Sequence, residues 1–293
     1  MDALPQLVAS GIILGGIYAL VSIGLTLIFG VMRIVNFAHG EFLMLSMYLA
    51  IGLFTVLGID PYAGLLLAIP LSLAFGALVF YGVIRPVIGR PHVVQIFTTL
   101  GLSIVLQNLA LLLWTANFRQ LSLPYSDKVL LIAGAAVTLP QLIAFAVAAL
   151  FTMALFVWLR FAYLGKAMRA TAQDPKAATL VGIDTRRVFL IAFSIGTMCV
   201  GVAGMLMAPL FSTYPTVGLQ FVLVAFVVVV LGGLGSAVGA LLGGLIVAFL
   251  DVMGGFYVGI AWKEVLYFIV FIAVLLVRPA GLLGQRGAEG LGS

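Results

Sequence analysis

The sequence contains few charged side chains. Asp, Glu, Lys and Arg make up only 8% of its 293 residues, and 64% are hydrophobic. A soluble globular domain carries about 25% charged residues, so this chain lacks the polar side chains needed to cover its surface in water. Its apolar runs are also far longer than the strands of a membrane barrel. We therefore predict an all-α, polytopic transmembrane bundle in a single domain, residues 1–293.

Cysteine and histidine are nearly absent, which excludes several kinds of site. The lone Cys199 cannot form an internal disulfide. With two histidines and one cysteine, no cluster has metal-ligand spacing. The phosphate-binding loop motif is also missing, because Gly165-Lys166 is followed by alanine. We expect no metal, no cofactor and no catalytic residue, and any ATP must be hydrolysed by another subunit.

The net charge of +5 does not indicate a nucleic-acid partner, because the basic residues fall in short loops between apolar runs. Crossing the hydrocarbon takes about 20 apolar residues in a helix. The predicted spans are residues 7–31, 42–58, 62–84, 93–116, 140–159, 188–210 and 262–277. The run 219–250 is too long for one span and too short for two full ones. We interpret it as two shorter helices meeting at the glycines of 232–236, which gives eight or nine spans.

The basic residues also predict the orientation. If residues 165–187 face the cytoplasm, Arg119 and Lys128 lie outside. Nine crossings then place 11 of the 14 basic residues inside, and eight crossings place 10 inside. Both counts obey the positive-inside rule, so charge leaves the side of the C-terminus open. Arg278 and Pro279 stop the last span with a positive charge, which favours a cytoplasmic C-terminus and would place Arg286 inside.

Residues 165–187 hold seven of the 23 charged residues. Asp174 is suited to cap a short helix, Pro175 suits its first position, and Gly182 suits its closure. The apolar face of this helix would consist of Ala177, Ala178, Leu180 and Val181. The pattern indicates either a docking surface or an ordinary cytoplasmic loop held by its own caps.

A polar segment, Arg33–Glu41, follows the first span with little room for a loop. Ionisable groups at membrane depth are costly and tend to mark a function. In one interpretation these are turn residues at the interface. In the other, the segment is broken and partly re-entrant. Asn36, His39 and the amides of a helix starting near Gly40 would then face a polar cavity on a translocation path.

Glycines recur with helical spacing after the proposed break. Gly235, Gly239 and Gly243 are four residues apart, which predicts that they share one helical face, with Ser236 beside them. Small residues at this spacing let membrane helices pack closely, and Gly11 and Gly15 carry the same signal in the first span. The later face either packs against another helix or lines a path.

Other polar residues are expected at the membrane surface. Segment 117–139 is the longest external connection, and its mixed polarity suits either a soluble partner or a solvated loop. Asp251 and the adjacent Lys263 and Glu264 flank the last hairpin, and we expect them at the interface. We expect the same of His92.

Four segments together resemble one family. Residues 18–41, 169–183, 232–240 and 276–284 resemble, in order, the LivH-type permeases. These are membrane subunits of bacterial high-affinity branched-chain amino acid ABC importers. The glycine motif is shared with sugar permeases of the wider group. The chain departs from the pattern at Lys176 and, to a lesser degree, at Asp251, where glutamate is expected.

The resemblance implies a set of partners in the bacterial inner membrane: a homologous second permease of LivM type, two cytoplasmic ATPase subunits and a periplasmic amino-acid-binding protein. It also implies that a cytoplasmic helix docks in a groove on the ATPase, a role that residues 174–181 fit. The expected ATPase-coupling residues are Arg169, Asp174, Pro175, Ala177, Leu180, Val181 and Gly182. The expected pathway residues are Asn36, His39, Glu41, Gly235, Ser236 and Gly239.

We therefore expect a permease subunit that imports branched-chain or other hydrophobic amino acids and is driven by separate ATPases. One alternative is a urea, amide or sugar permease of the wider group. A different class is a secondary transporter that works alone. Ion-coupled transport would need an acidic residue deep in a span, for which Glu41 is the plausible candidate.

Overall fold

The apolar runs are helical in the computed structural model, which describes residues 3–278 and 280–284. The helices are α1 (Ala3–Met32), α2 (His39–Leu57), α3 (Pro61–Val79), α4 (His92–Trp114), α5 (Leu139–Phe161), α6 (Tyr163–Gln173), α7 (Pro175–Leu180), α8 (Thr185–Met207), α9 (Val217–Gly232), α10 (Ala237–Tyr257) and α11 (Lys263–Val277). A π-helical turn (Phe80–Ile84) and a 3-10 turn (Arg85–Val87) follow α3, and two strands, β1 (Val129–Ile132) and β2 (Ala135–Thr138), precede α5. Seven of the described helices are long and apolar enough to cross a membrane. This confirms a polytopic helical bundle.

The run 219–250 consists of two helices, as predicted. α9 ends at Gly232 and α10 begins at Ala237. The predicted end at residue 250 is wrong, because α10 continues through Asp251 to Tyr257. With 21 residues α10 is about 31 Å long, and with 16 residues α9 is about 24 Å long.

α1 lies at the centre of the bundle and packs against α10 in the antiparallel direction. A Cβ atom at Gly15 would lie 3.0 Å from the Cα atom of Leu245 on α10, and one at Gly30 would lie 3.1 Å from the Cα atom of Gly235, in the turn that precedes α10. The two backbones therefore approach closely where the glycines lie. This confirms the packing role predicted for the small residues of the first span.

The helices at the periphery carry large apolar side chains on their outer surfaces. Leu66 on α3, Leu112 on α4 and Leu150 on α5 are at least 69% exposed. Such a surface would aggregate in water, but lipid tails are as apolar as leucine. The exposed leucines therefore agree with a bundle that is surrounded by hydrocarbon.

Segment 117–139, which is expected to lie outside, contains the antiparallel β1–β2 hairpin, a feature that was not predicted from the sequence. Its turn residues, Ala133 and Gly134, both have positive φ, as a two-residue hairpin turn of type I′ requires. Earlier in the segment, the Tyr125 hydroxyl donates a 2.5 Å hydrogen bond to the Asp60 carboxylate. Burial and this carboxylate raise the pKa of Tyr125. The loop is thus attached to the start of α3.

The last described residues return to the end of α9. The Leu282 amide donates to the Leu231 carbonyl at 2.8 Å, and the Leu283 amide donates to the Gly232 carbonyl at 3.0 Å. Pro279 and Arg286, which entered the prediction for the C-terminus, lie outside the described residues.

Candidate functional site

The predicted capped helix is present as α7. Its N-terminal cap is Asp174, whose Oδ1 accepts hydrogen bonds from the amides of Lys176 at 2.8 Å and Ala177 at 3.0 Å. Pro175 occupies the first helical position, where its missing N–H would have no partner within the helix. These local interactions fix the start of α7.

The C-terminal end of α7 is closed by Gly182, which has a φ of +86°. The Gly182 amide donates to the Thr179 carbonyl at 3.0 Å, and the Ile183 amide donates to the Ala178 carbonyl at 3.0 Å. This pair of bonds is a Schellman motif. Both predicted caps are therefore confirmed, and they fix the two ends of the short helix.

α7 projects large apolar side chains away from the protein. Leu180 is 88% exposed and Val181 is 77% exposed, and Ala177 is exposed as well. Ala178 differs, since it is buried against the protein. The predicted four-residue face is thus divided between one inward residue and three outward ones. Lys176 is also exposed.

α6, a helix that was not predicted from the sequence, connects α7 to the end of α5. The Arg169 guanidinium donates to the carbonyls of Leu159 and, at 3.3 Å, of Arg160. These carbonyls belong to the last turn of α5, which has no amides of its own to pair with them. At Gly165 a Cβ atom would collide with the Leu159 carbonyl oxygen, so α6 lies directly against α5.

The segment after α1 turns back into the bundle. Arg33 has a φ of +56°, and residues 33–38 contain no helix. α2 then begins at His39, whose Nε2 donates to the Val21 carbonyl at 3.0 Å. Val21 precedes the end of α1 by eleven residues, or about 16 Å along the helix axis. This depth favours the re-entrant interpretation over the interfacial turn.

Two polar side chains of this segment are fully buried and only partly paired. Oδ1 of Asn36 accepts a hydrogen bond from the Ala38 amide at 3.2 Å. Within the described residues, Nδ2 of Asn36 and Nδ1 of His39 have no hydrogen-bond partner. Unsatisfied buried polar atoms are unusual in native proteins, and they often mark a functional position.

Glu41 is also fully buried, and it connects α2 to α4. Its Oε1 accepts hydrogen bonds from Nε2 of Gln107 at 2.8 Å and from Oγ of Ser103 at 3.2 Å. Its Oε2 has no partner among the described residues and lies beside the backbone of Gly218 at the start of α9.

Two of the three periodic glycines pack α10 against α9. A Cβ atom at Gly239 would lie 2.1 Å from the Gly232 carbonyl oxygen, and one at Gly243 would lie 2.6 Å from the Val228 carbonyl oxygen. No side chain fits in these spaces. Of the two interpretations of this face, the structure therefore favours packing against another helix over lining a path.

The prediction that Gly235 shares this face is wrong, because α10 begins only at Ala237. Gly235 lies in the turn between α9 and α10 with a φ of +82°. Ser236 is the N-cap of α10, and its Oγ accepts a hydrogen bond from the Gly239 amide at 3.0 Å. Both residues thus shape the turn.

A cavity of about 820 Å³ lies between α1, α5, α6 and the α9–α10 turn. Gly235 and Ser236 line it, together with Arg169 from the expected coupling residues. The other expected pathway residues, Asn36, His39, Glu41 and Gly239, are not among its lining residues. The cavity adjoins the segment that carries α7.

Asp251 joins α1, α10 and α11, an arrangement that was not predicted from the sequence. Its carboxylate accepts a hydrogen bond from the Tyr18 hydroxyl at 2.9 Å and pairs with Nζ of Lys263 at 2.9 Å. The expected interfacial position of Asp251 is wrong, since its side chain is buried inside the bundle. Tyr18 is 233 positions away in the chain, so no local pattern indicates this contact.

Comparisons with known proteins agree with the resemblance seen in the sequence. Residues 7–275 match the family described as "Branched-chain amino acid transport system / permease component". No solved structure matches the chain at a significant level.

Individual relatives match over nearly their whole length. The chain is 35% identical over 299 residues to the high-affinity branched-chain amino acid transport system permease protein LivH of Salmonella typhimurium, covering 97% of this chain and 96% of that protein. LivH of Escherichia coli is 34% identical with the same coverage. The permease protein BraD of Pseudomonas aeruginosa is 32% identical, covering 98% of this chain and 97% of BraD.

Proposed function

Because this chain belongs to the family of permease components of branched-chain amino acid transport systems, we propose that it is a membrane subunit of an ABC importer for these amino acids. It would lie in the bacterial inner membrane as a multi-pass protein beside a homologous LivM-type permease. Two cytoplasmic ATPase subunits would supply the energy, and a periplasmic binding protein would deliver the amino acid. The chain itself would bind no cofactor and catalyse no reaction.

α7 is the point at which we propose that the ATPase engages this chain. The observation that carries this assignment is the outward projection of Leu180 and Val181 from a helix that both caps hold rigid. Exposed apolar side chains on a cytoplasmic segment have no lipid to contact, so a protein groove would favour them. A helix that places its apolar side in a groove is a common mode of recognition.

Movement of α7 would reach the spans through α6 and α8. The Arg169 side chain on α6 forms hydrogen bonds to the last carbonyls of α5. Ile183 lies in the short connection between α7 and α8. Closure of the ATPase pair would therefore displace α5 and α8 together with residues 169–183. We propose that this displacement opens the pathway alternately to each side of the membrane.

The pathway needs little selectivity if the binding protein chooses the amino acid. We propose that it includes the partly paired polar side chains of Asn36, His39 and Glu41, which do not line the cavity formed beside the glycine-rich turn at Gly235 and Ser236. This assignment is supported by the free-energy cost of placing polar atoms at membrane depth, which is high unless the atoms line a path or bind a partner. The packing glycine, Gly239, would act by holding that turn in place.

The test is co-purification of the ATPase with Leu180→Lys. A charge at the docking surface should reduce ATPase recovery at least tenfold while membrane insertion is unchanged. Asp174→Ala removes the N-cap, which costs about 1 kcal/mol of helix stability, and should give a smaller loss. The matched control is Leu131→Lys, which places the same charge on an equally exposed leucine of the β1–β2 hairpin. Normal ATPase recovery with Leu180→Lys would refute the docking role.

A further inference from the structure

The 820 Å³ cavity beside α6 has an unusual charge distribution. Three arginines line it: Arg33 after α1, Arg160 in the last turn of α5, and Arg169 on α6. The described lining residues include no Asp or Glu. All three side chains are exposed, and the Arg169 guanidinium also donates to the carbonyls of Leu159 and Arg160. Three positive charges without a carboxylate among the described lining residues favour an anion.

Polar groups inside the cavity also suit an anion. Thr26 is 2% exposed and lines the cavity, and its hydroxyl has no hydrogen-bond partner among the described residues. Ser236 and Ala237 place the N-terminus of α10 at the wall, where the helix dipole and free amides favour negative charge. The unpaired hydroxyl and the helix end are independent of the arginines.

Apart from Gln173, the remaining described walls of the cavity are apolar. The described apolar side chains include Leu27, Val31, Phe156, Leu234 and Leu283. A small hydrated anion gains nothing from such walls, whereas an amphiphile can place its hydrocarbon there. A zwitterionic amino acid is also disfavoured, because its ammonium group would meet three arginines and no carboxylate. The lining thus favours a molecule with an anionic head and an apolar tail.

We propose that this cavity binds the phosphate group of an anionic phospholipid. Arginine forms forked, bidentate hydrogen bonds with phosphate oxygens. Basic pockets between membrane helices on the cytoplasmic side are suited to such head groups. The cytoplasmic position of Arg33 and Arg160 rests on the orientation of the proposed function. A bound lipid would contact α6 and stabilise the end of α5 against which α6 packs.

The experiment measures phospholipid retained by the purified complex in detergent, which requires no transport activity. Phosphatidylglycerol, zwitterionic phosphatidylethanolamine and inorganic phosphate are the three probes, added at equal concentration. For Arg33→Gln/Arg160→Gln we expect a roughly thirtyfold loss of phosphatidylglycerol affinity, or about fivefold for each single variant. If the double variant does not fold, the two single variants carry the test.

Arg85→Gln is the matched control. Arg85 and Arg160 are both exposed, and each guanidinium lies 5.7 Å from the centroid of an adjacent aromatic ring, Tyr81 or Phe161. Arg85 does not line the cavity, so its loss should leave phosphatidylglycerol affinity unchanged. An equal loss with Arg85→Gln, or no loss with the cavity variants, would overturn the proposal.

A second pair of variants tests the interior of the cavity. Thr26→Val keeps the side-chain shape and should lower phosphatidylglycerol affinity about tenfold, because it removes a hydrogen bond to a charged group. Ser22→Ala removes a buried, unpaired hydroxyl one turn away that does not line the cavity, and should have no effect. Inorganic phosphate or phosphatidylethanolamine binding as tightly as phosphatidylglycerol would overturn the assignment to an anionic lipid.

Discussion

Asp251 and Glu41 are the buried carboxylates among the described residues, and each joins helices that are distant in the chain. Asp251 pairs with Lys263 and Tyr18, so one cation and one hydroxyl donor compensate its burial. Glu41 has a looser environment, with one oxygen paired and the other without a partner. The roles of the two residues are therefore tested by different substitutions.

Replacing Lys263 by Met should destabilise the bundle by about 3 kcal/mol, because the Asp251 carboxylate would stay buried without its cation. Thermal unfolding of the purified chain in detergent measures this change. The double variant Lys263→Met/Asp251→Leu should recover most of the loss, since both charges are then absent. A double variant that is less stable than Lys263→Met would show that the unpaired Asp251 carboxylate is not the cause of the lost stability.

Glu41→Gln tests whether transport depends on a titrating carboxyl. The substitution retains an oxygen that accepts from Gln107 and Ser103, so the contact between α2 and α4 should survive. If ATP drives the importer, uptake of leucine into proteoliposomes containing the whole complex should stay within about threefold of wild type. Complete loss of uptake with normal ATP hydrolysis would instead favour an ion-coupled carrier.

At the scale of elements, the α9–α10 pair and α7 show how short motifs produce defined helices. The turn between α9 and α10 combines a glycine with positive φ, Gly235, and a capping serine, Ser236. α7 combines an aspartate cap with a glycine closure. In both cases the helix ends are set by residues within a few positions of each other.

Gly239→Ala should destabilise the bundle by about 3 kcal/mol, because the new methyl group would collide with the Gly232 carbonyl. The shift in unfolding temperature of the purified chain is the measurement. Gly101→Ala is the matched control in the middle of α4, where a Cβ atom meets nothing within 4 Å. The control should be neutral or stabilise by up to about 1 kcal/mol through helix propensity. Equal effects at both positions would contradict close packing at Gly239.

The whole molecule has its basic cavity, its glycine-rich turn and its last described residues at one end. Leu283 lines the same cavity as Arg160, and its amide bonds to the end of α9. α11 therefore returns the chain to the end of the bundle that carries α6 and α7. This is the arrangement expected when the central loop and the residues after α11 share one side of the membrane.

Labelling of single cysteines from each side of the membrane tests this arrangement. In a Cys199→Ala background, cysteines at Lys176 and Leu283 should react with an impermeant thiol reagent from the cytoplasmic side only. A cysteine at Lys128, in the external segment, should react from the other side only. Labelling of positions 176 and 283 from opposite sides would contradict the placement of Leu283 beside the cavity.

The sequence by itself determined the class of protein, the approximate positions of the long apolar helices and the caps of α7. The scarcity of charge excludes a soluble fold, and each cap depends on residues that are adjacent in the chain, such as Asp174 and Gly182. The glycine break was also predictable, because three glycines within the four positions 232–235 weaken a helix locally. These features need no knowledge of which helix packs against which.

Only the tertiary structure decided the depth of His39, the burial of Asp251 and the convergence of three arginines on one cavity. The spans are apolar on all sides, so their periodicity does not indicate which face of a helix meets its neighbour. Contacts between distant segments depend on the rotation and depth of each helix, which close packing sets. For that reason Tyr18, Asp251 and Lys263 meet without any signal in the sequence around them.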